Sequence, residues 1–348
     1  MSKERLYLYD NLKLLMIAFV VIGHMIDYGG ELYTASDTCY RVVVYIYAFH
    51  MPLFIFMAGL FFKKENSAEK ALYYLLTGLV MKTVIFVCQR LLYGTGAFSF
   101  TNLNGPEWFM LALAVYTVVT PLLQRLNRLP VIIVALLIAI GAGYVEAIGT
   151  FFSFSRIIVF FPYFFIGTIC DAQQLCRRLH KPLLRCAGGL LIIGWTVFIA
   201  LRGDEVWFMK YLFTGSTPYV YLPAEVMRYG GILRAISYLL SGLLCSAFLA
   251  VMPQRRIPLI SVFGSRTVQV YFWHLPLVFA VHTVDYSLFH SSLAVEPWGY
   301  VAGALTAVGI VLLLSLKPFA FPTSCIGKAC HQLCGYLSEK LLFSRRRH

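Results

Sequence analysis

The 348-residue sequence predicts an all-α integral membrane protein, a bundle of about ten transmembrane helices with both termini in the cytoplasm. Three observations predict it. Hydrophobic residues make up 59% of the chain and charged ones 13%, and the mean hydropathy is +0.75, unlike any ordinary soluble domain of this length. Apolar runs, most of about 17–25 residues, recur near 12–29, 41–62, 71–92, 108–124, 131–149, 157–170, 184–201, 232–252, 259–282 and 298–316, enough to cross roughly 30 Å of hydrocarbon as helix. Barrel strands would be half as long and would alternate, which these runs do not. Lys and Arg occupy every second gap: Lys3/Arg5, Lys63/Lys64/Lys70, Arg125/Arg128, Arg177/Arg178/Lys181/Arg185, Arg255/Arg256 and the tail ending Arg345-Arg346-Arg347. The gaps at 30–40, 93–107 and 283–297 contain neither, which is the positive-inside pattern. The net charge of +13 therefore belongs to membrane topology; no nucleic-acid motif accompanies it.

Each run has a character of its own. The first, after Asp10 and Lys13, carries His24 in its outer half and Asp27 one turn later. Eleven residues at ~100° each bring Lys13 and His24 to within about 20° of one face, roughly 16 Å apart along the axis. His24 and Asp27, at i and i+3, are neighbours on that face. Ionisable groups at membrane depth are costly and normally point into a bundle or a wet cavity, which makes His24 the leading candidate. The second run holds His50 and Pro52; the proline predicts a kink, and the histidine either lines a pathway or packs between helices. Lys82 and Arg90 lie in the third run, Arg90 placed to snorkel and Lys82 to receive a ligand's phosphate. Glu107 and Trp108 open the fourth from outside, the glutamate favoured by the helix dipole or bound to a substrate hydroxyl.

The sixth run is short, as a broken or tilted span would be, and Arg156 precedes it as an aromatic-belt anchor or an anion ligand. The outer connection 202–231 is long and aromatic, either a lid or an interfacial rest. His274 sits in the ninth run. Gly299 and Gly303 in the tenth form a GxxxG, read as close internal packing rather than dimerisation, although a homo-oligomer is compatible with it. Two regions follow: a membrane domain over 1–316 and a basic amphipathic tail over 317–348. Cys325, Cys330, His331 and Cys334 in that tail do not match zinc spacings, so no metal site is expected. The nine cysteines form no disulfide framework, and no cleavable signal peptide is visible.

Five motifs carry a resemblance: YDNLKLLMIAFVVIGHMID, YAFHMPLFIFMAGLFFKK, GPEWFMLALAVY, FPYFFIGTI and SRTVQVYFWHLPLV, in this order over about 10–316. Together they resemble the acyltransferase family three of integral membrane proteins, especially its fucose 4-O-acetylase-like branch. The resemblance implies an O-acyltransferase that takes acetyl- or another acyl-CoA as donor substrate, with no permanently bound cofactor. Its implied acceptor is a hydroxyl of a carbohydrate, lipid-linked or not, in the cell envelope. It implies a multi-pass protein of a bacterial-type inner membrane, in contact with membrane lipids. The family's basic-residue-x10-His motif falls on Lys13 and His24, which implies His24 as catalytic base or transient acyl carrier. Asp27 is expected to orient His24, by nucleophile–base–orienter logic. Asp10, Lys13, His50, Lys82, Glu107, Trp108, Arg156 and His274 are the expected acyl-CoA- or substrate-binding residues; Glu107 departs from the apolar residue usual before Trp-Phe. The competing reading from the residues alone is a proton-coupled permease or exporter, with His24, Asp27 and Lys82 as its relay.

Overall fold

The first helix, α1 (Tyr7–Asp27), threads the centre of the molecule. Leu8, Leu12 and Met16 are buried in one core cluster and Ile17, Val20 and Val21 in another, so the helix packs on two sides and no residue from Tyr7 to Asp27 is exposed. The computed structural model describes residues 5–29, 36–94, 98–103, 105–149, 151–289, 293 and 297–345. Lys3, Arg346 and Arg347, three residues of the positive-inside pattern, lie outside them, as do parts of the gaps at 30–40, 93–107 and 283–297.

Each of the ten apolar runs is occupied by helix. Among the described residues, five helical segments are long and apolar enough to cross a bilayer: Tyr7–Asp27, Asp37–Leu60, Lys64–Tyr93, Pro182–Val206 and Gly230–Val251. A sixth counts if Phe154–Ile169 and Ala172–Leu179, bent by 93° at their junction, are one broken span. Glu107–Leu123, Arg128–Tyr144 and Trp298–Leu314 are apolar but shorter. The expected ten crossings therefore exceed the number that helix length and apolarity alone support. Among the described residues the non-helical pairing is one isolated bridge, Asn102 with Phe151. The surface is itself apolar, with Leu190, Ile193, Leu201, Leu239 and Leu305 exposed, as an integral membrane protein requires.

The second run is two helices, α2 (Asp37–Tyr47) and α3 (His50–Leu60). Proline at position 52 has no N–H to give and its ring clashes with the carbonyl four residues back, so the helix breaks at Ala48–Phe49. Carbonyls freed at such a break must find donors in a low-dielectric bundle. The Ser241 hydroxyl, from the helix over Gly230–Val251, donates to Ala48 O, and the Cys245 thiol of the same helix donates at 3.6 Å to Phe49 O, which also accepts from Leu53 N. The expected kink is thus a full interruption, and it turns Tyr47 and His50 towards the interior.

The remaining helices follow in order: α4 (Ser67–Tyr93), α5 (Glu107–Leu123), α6 (Arg128–Gly141), α7 (Phe154–Ile169), α8 (Ala172–Leu179) and α9 (Pro182–Arg202). Then come α10 (Met209–Thr214), α11 (Ala224–Met227), α12 (Gly230–Val251), α13 (Ile260–Gly264), α14 (Thr267–Phe289), α15 (Trp298–Leu314) and α16 (Thr323–Arg345). Helices α3 and α7 approach backbone to backbone. A Cβ on Gly59 would overlap the Phe164 carbonyl and one on Gly167 the Phe56 carbonyl. Helix α7 ends where Cys170 turns extended and Asp171 caps α8, its carboxylate accepting from Gln174 N at 2.7 Å. Gly299 and Gly303 lie on the buried face of α15, which packs on α1 and α14. The tail forms α16 against α4, where His331 meets Glu69 at 3.2 Å.

Candidate active site

The end of α1, the α2–α3 break, the start of α5 and the start of α7 enclose a cavity of about 360 Å³. His24, Asp27, Tyr47, His50, Trp108 and Arg156 reach it from the bundle. Tyr271 of α14 closes its floor, and Lys210, Phe213 and Thr214 cover it from the connection between α9 and α12. That connection is stitched down along its length. Lys210 Nζ is 2.8 Å from the Asp27 carboxylate, Arg156 Nη2 donates to the Ser216 hydroxyl at 3.3 Å, and Ser155 Oγ donates to Gly215 O at 2.7 Å. Arg41 pairs with Asp204, and Arg234 donates to Leu212 O. Within 202–231, α10 is a wall of the cavity, while Trp207 of the same connection is exposed.

His24 Nδ1 stands 2.7 Å from His274 Nε2, with the rings nearly parallel at 13° and 5.0 Å between centroids. His274 is fully buried and its Nδ1 is 2.7 Å from the Tyr271 carbonyl. A carbonyl only accepts, so His274 carries its proton on Nδ1 and its Nε2 is a lone pair. That lone pair requires the proton of neutral His24 on Nδ1. Nε2 of His24 is then unprotonated, on a half-buried ring lining the cavity. The chain His24–His274–Tyr271 O fixes tautomer and ring direction as the carboxylate does in a Ser-His-Asp triad.

A family model described as an acyltransferase domain matches residues 6–316. The chain belongs to acyltransferase family three. No curated protein and no solved structure matches it. Membership favours group transfer over the permease reading and agrees with the motifs that carried the resemblance.

In this acyltransferase the expected residues do not all meet. His24, Asp27, His50, Trp108 and Arg156 line the cavity, and His274 is reached through His24. Asp27 does not orient His24. Its carboxylate is held by Lys210 and by the Tyr47 hydroxyl, and the orienting place at Nδ1 belongs to His274. Helical spacing put Asp27 on the right face, but Lys210, 183 residues away, competes for it. His50 lines the cavity, and its hydrogen bond is a local one, Nδ1 to Ile46 O at 2.9 Å across the α2–α3 break rather than to another span.

Lys82 and Glu107 pair with each other at 3.0 Å, both mostly buried, and Lys82 also donates to Asn102 O at 2.7 Å. The ammonium expected to meet a phosphate is neutralised here, and the glutamate is spent on it rather than on a substrate hydroxyl. Trp108 stacks on Phe160 at 5.3 Å and supports the Arg156 guanidinium 5.2 Å from its ring. Lys13 and Asp10 stand apart, at the opposite end of α1. Asp10 Oδ1 is 2.9 Å from Lys13 Nζ and Oδ2 is 2.8 Å from Arg5 Nε, so two cations share one carboxylate and leave a net positive charge. Asn11 clamps this end to the segment after α12, donating to Pro253 O and Arg255 O and accepting from Ser261 Oγ.

Sequence reasoning missed Lys210, Tyr47 and Tyr271. A lysine inside the aromatic run WFMKYLF was a usable signal; the tyrosines gave none among 22 in the chain. Among the described residues no group of three or more His, Cys, Asp or Glu could hold a metal ion.

Proposed function

We propose that this acyltransferase moves an acetyl or other short acyl group from acyl-CoA to a hydroxyl of a cell-envelope carbohydrate, in a bacterial-type inner membrane. The observation that carries the reading is the 2.7 Å contact of His24 Nδ1 with His274 Nε2, itself held through Nδ1 on the Tyr271 carbonyl, an arrangement that assigns the free lone pair to His24 Nε2 at the cavity. Acyl-CoA enters at the Lys13 end, proposed to be cytoplasmic. The surplus charge of Arg5 and Lys13 over Asp10 attracts its phosphates, and the uncharged pantetheine arm carries the thioester about 16 Å along α1.

Two courses use the same lone pair. As base, His24 Nε2 takes the acceptor's O–H proton while that oxygen attacks the thioester carbonyl; the C–S bond breaks and the proton passes to the CoA thiolate. As carrier, Nε2 itself attacks and thiolate leaves; the acceptor oxygen then takes the acyl group from the ring, the N–C bond breaks, and the acceptor's O–H proton passes to the CoA thiolate. Either way a positive charge forms on His24. The Nδ1 proton can shift towards His274 Nε2, and the Tyr271 carbonyl dipole receives the far end of the pair.

The test is transfer of label from [14C]acetyl-CoA to envelope carbohydrate in membrane vesicles. His24→Ala is expected to reduce transfer to background while the protein still accumulates in the membrane. Acid-quenched labelled protein would indicate the carrier course. Undiminished transfer by the variant would remove His24 from the mechanism.

A further inference from the structure

One guanidinium in the cavity stands outside the ion pairs formed among the described residues. Asp27 is paired with Lys210, and Lys82 behind the wall is paired with Glu107. Arg156 takes part in no ion pair among the described residues. Its Nε is buried without a hydrogen-bond partner, Nη2 donates to the Ser216 hydroxyl at 3.3 Å, and Cζ lies 5.2 Å from the centre of the Trp108 ring. Buried charges are normally paired because leaving water without a counter-charge is costly. Arg234 is orphaned too, with Nε and Nη2 buried without partners and only its Nη1 on the Leu212 carbonyl, but Arg234 is not among the residues lining this cavity, whereas Arg156 is.

Three anions could complete Arg156. The phosphates of acyl-CoA are excluded by position if the donor enters beside Lys13, because with the thioester at His24 they remain at the other end of α1. The tetrahedral oxyanion forms at the carbonyl beside His24 Nε2, whereas Arg156 Nη2 is already directed to the Ser216 hydroxyl of the covering segment. What remains is a group on the acceptor. The walls of the site are aromatic, with Tyr28, Trp108, Phe160 and Tyr271 around one small space, and such faces suit the C–H side of a sugar ring. At about 360 Å³ the cavity has room for one ring beside a thioester rather than for an oligosaccharide.

We infer that Arg156 selects the acceptor, and that the acceptor is an anionic sugar whose carboxylate or phosphate completes the guanidinium while one of its hydroxyls faces His24. This rests on the acyl-transfer reading for the hydroxyl but not for the anion, which binds with or without a donor. Planar guanidinium matches either anion in bidentate fashion, so the charge is the shared chemistry.

The experiment titrates glucose, glucuronate and glucose 6-phosphate into the full-length protein in nanodiscs, without acyl-CoA, for wild type, Arg156→Gln and Arg156→Lys. Wild type is expected to bind at least one of the anionic sugars roughly ten- to a hundred-fold more tightly than glucose, the worth of a charged hydrogen bond in a desolvated site. Carboxylate and phosphate are distinguished by which of the two sugars gains. Arg156→Lys should keep part of the preference and Arg156→Gln should lose it while binding glucose as wild type does, which also shows that the variant is folded. Equal affinity for all three sugars, a preference that survives in Arg156→Gln, or no saturable binding of either anionic sugar would overturn the inference. Acetyl transfer to the same panel separates the two readings. Transfer to neutral and anionic sugars alike, with Arg156→Gln lowering kcat equally for both, would make Arg156 an oxyanion ligand, overturning the inference and leaving acyl transfer intact. Arg156-dependent anion binding without any transfer would instead uphold the inference and count against the transfer reading.

Discussion

Replacing His274 by phenylalanine removes the acceptor of the His24 Nδ1–H bond without opening a large void, since the ring is fully buried and tilted against Tyr271 at 5.5 Å. The magnitude follows from what that bond does. When His24 gains a positive charge, its 2.7 Å contact with His274 becomes a hydrogen bond from a charged donor, worth about 1.5–3 kcal/mol. Losing it from the transition state lowers kcat roughly 10- to 150-fold. Loss of tautomer control adds to this, with an upper limit near the ~10⁴-fold known for a misdirected triad histidine. KM for acyl-CoA should hardly change, because the contact lies about 16 Å from the Lys13 end. The assay is initial-rate transfer of label from acetyl-CoA in vesicles over a range of donor concentrations. His274→Gln, whose side-chain oxygen can accept from Nδ1–H, should recover much of the rate. A His274→Phe protein with wild-type kcat, or one whose defect lies wholly in KM, would refute the relay.

Three other outcomes are expected. Lys13→Ala should raise KM for acyl-CoA by about two- to ten-fold with kcat held, and the effect should shrink as salt is raised, because a part-exposed cation is screened. Lys210→Ala leaves the Asp27 carboxylate half-buried with only the Tyr47 hydroxyl, at a cost of about 1–2 kcal/mol after allowing for its partial exposure. Thermal unfolding in detergent and proteolysis within 203–216 should both show it, and Asp27→Asn combined with Lys210→Met should recover most of the loss. Gly59→Val drives a side chain into the Phe164 carbonyl and should cost about 1–3 kcal/mol or prevent accumulation, whereas Gly189→Ala, with open space around it, should be neutral; equal thermal stability of the two would contradict the close α3–α7 contact.

Some of the site was legible from spacing alone. His24 stood out because an imidazole in an apolar run carries its own cost, and a cost of that kind is local to the run. Pro52 announced the α2–α3 break for the same reason, since the missing N–H and the clash with residue 48 are backbone facts. Asp27 shows the limit. Its i+3 spacing from His24 was read as partnership, yet two side chains on one helix face compete with every group that other helices bring, and Lys210 won. Lys82 and Glu107 were read separately, each awaiting a ligand, because nothing in residues 82 and 107 says that α4 and α5 lie side by side.

The sequence by itself determined the membrane class, the ten helical runs, the acyltransferase family and the candidate histidine, because hydropathy, helix period and motif order are properties of neighbouring residues. Only the tertiary structure decided which group stands behind His24, a histidine 250 residues away, and that the 203–216 segment covers the cavity. It also decided which of the charges pair and that Arg156 stands outside the ion pairs formed among the described residues. The physical reason is range: hydrogen bonds and ion pairs act over a few ångströms of space, and in a bundle those ångströms join residues that the chain holds far apart.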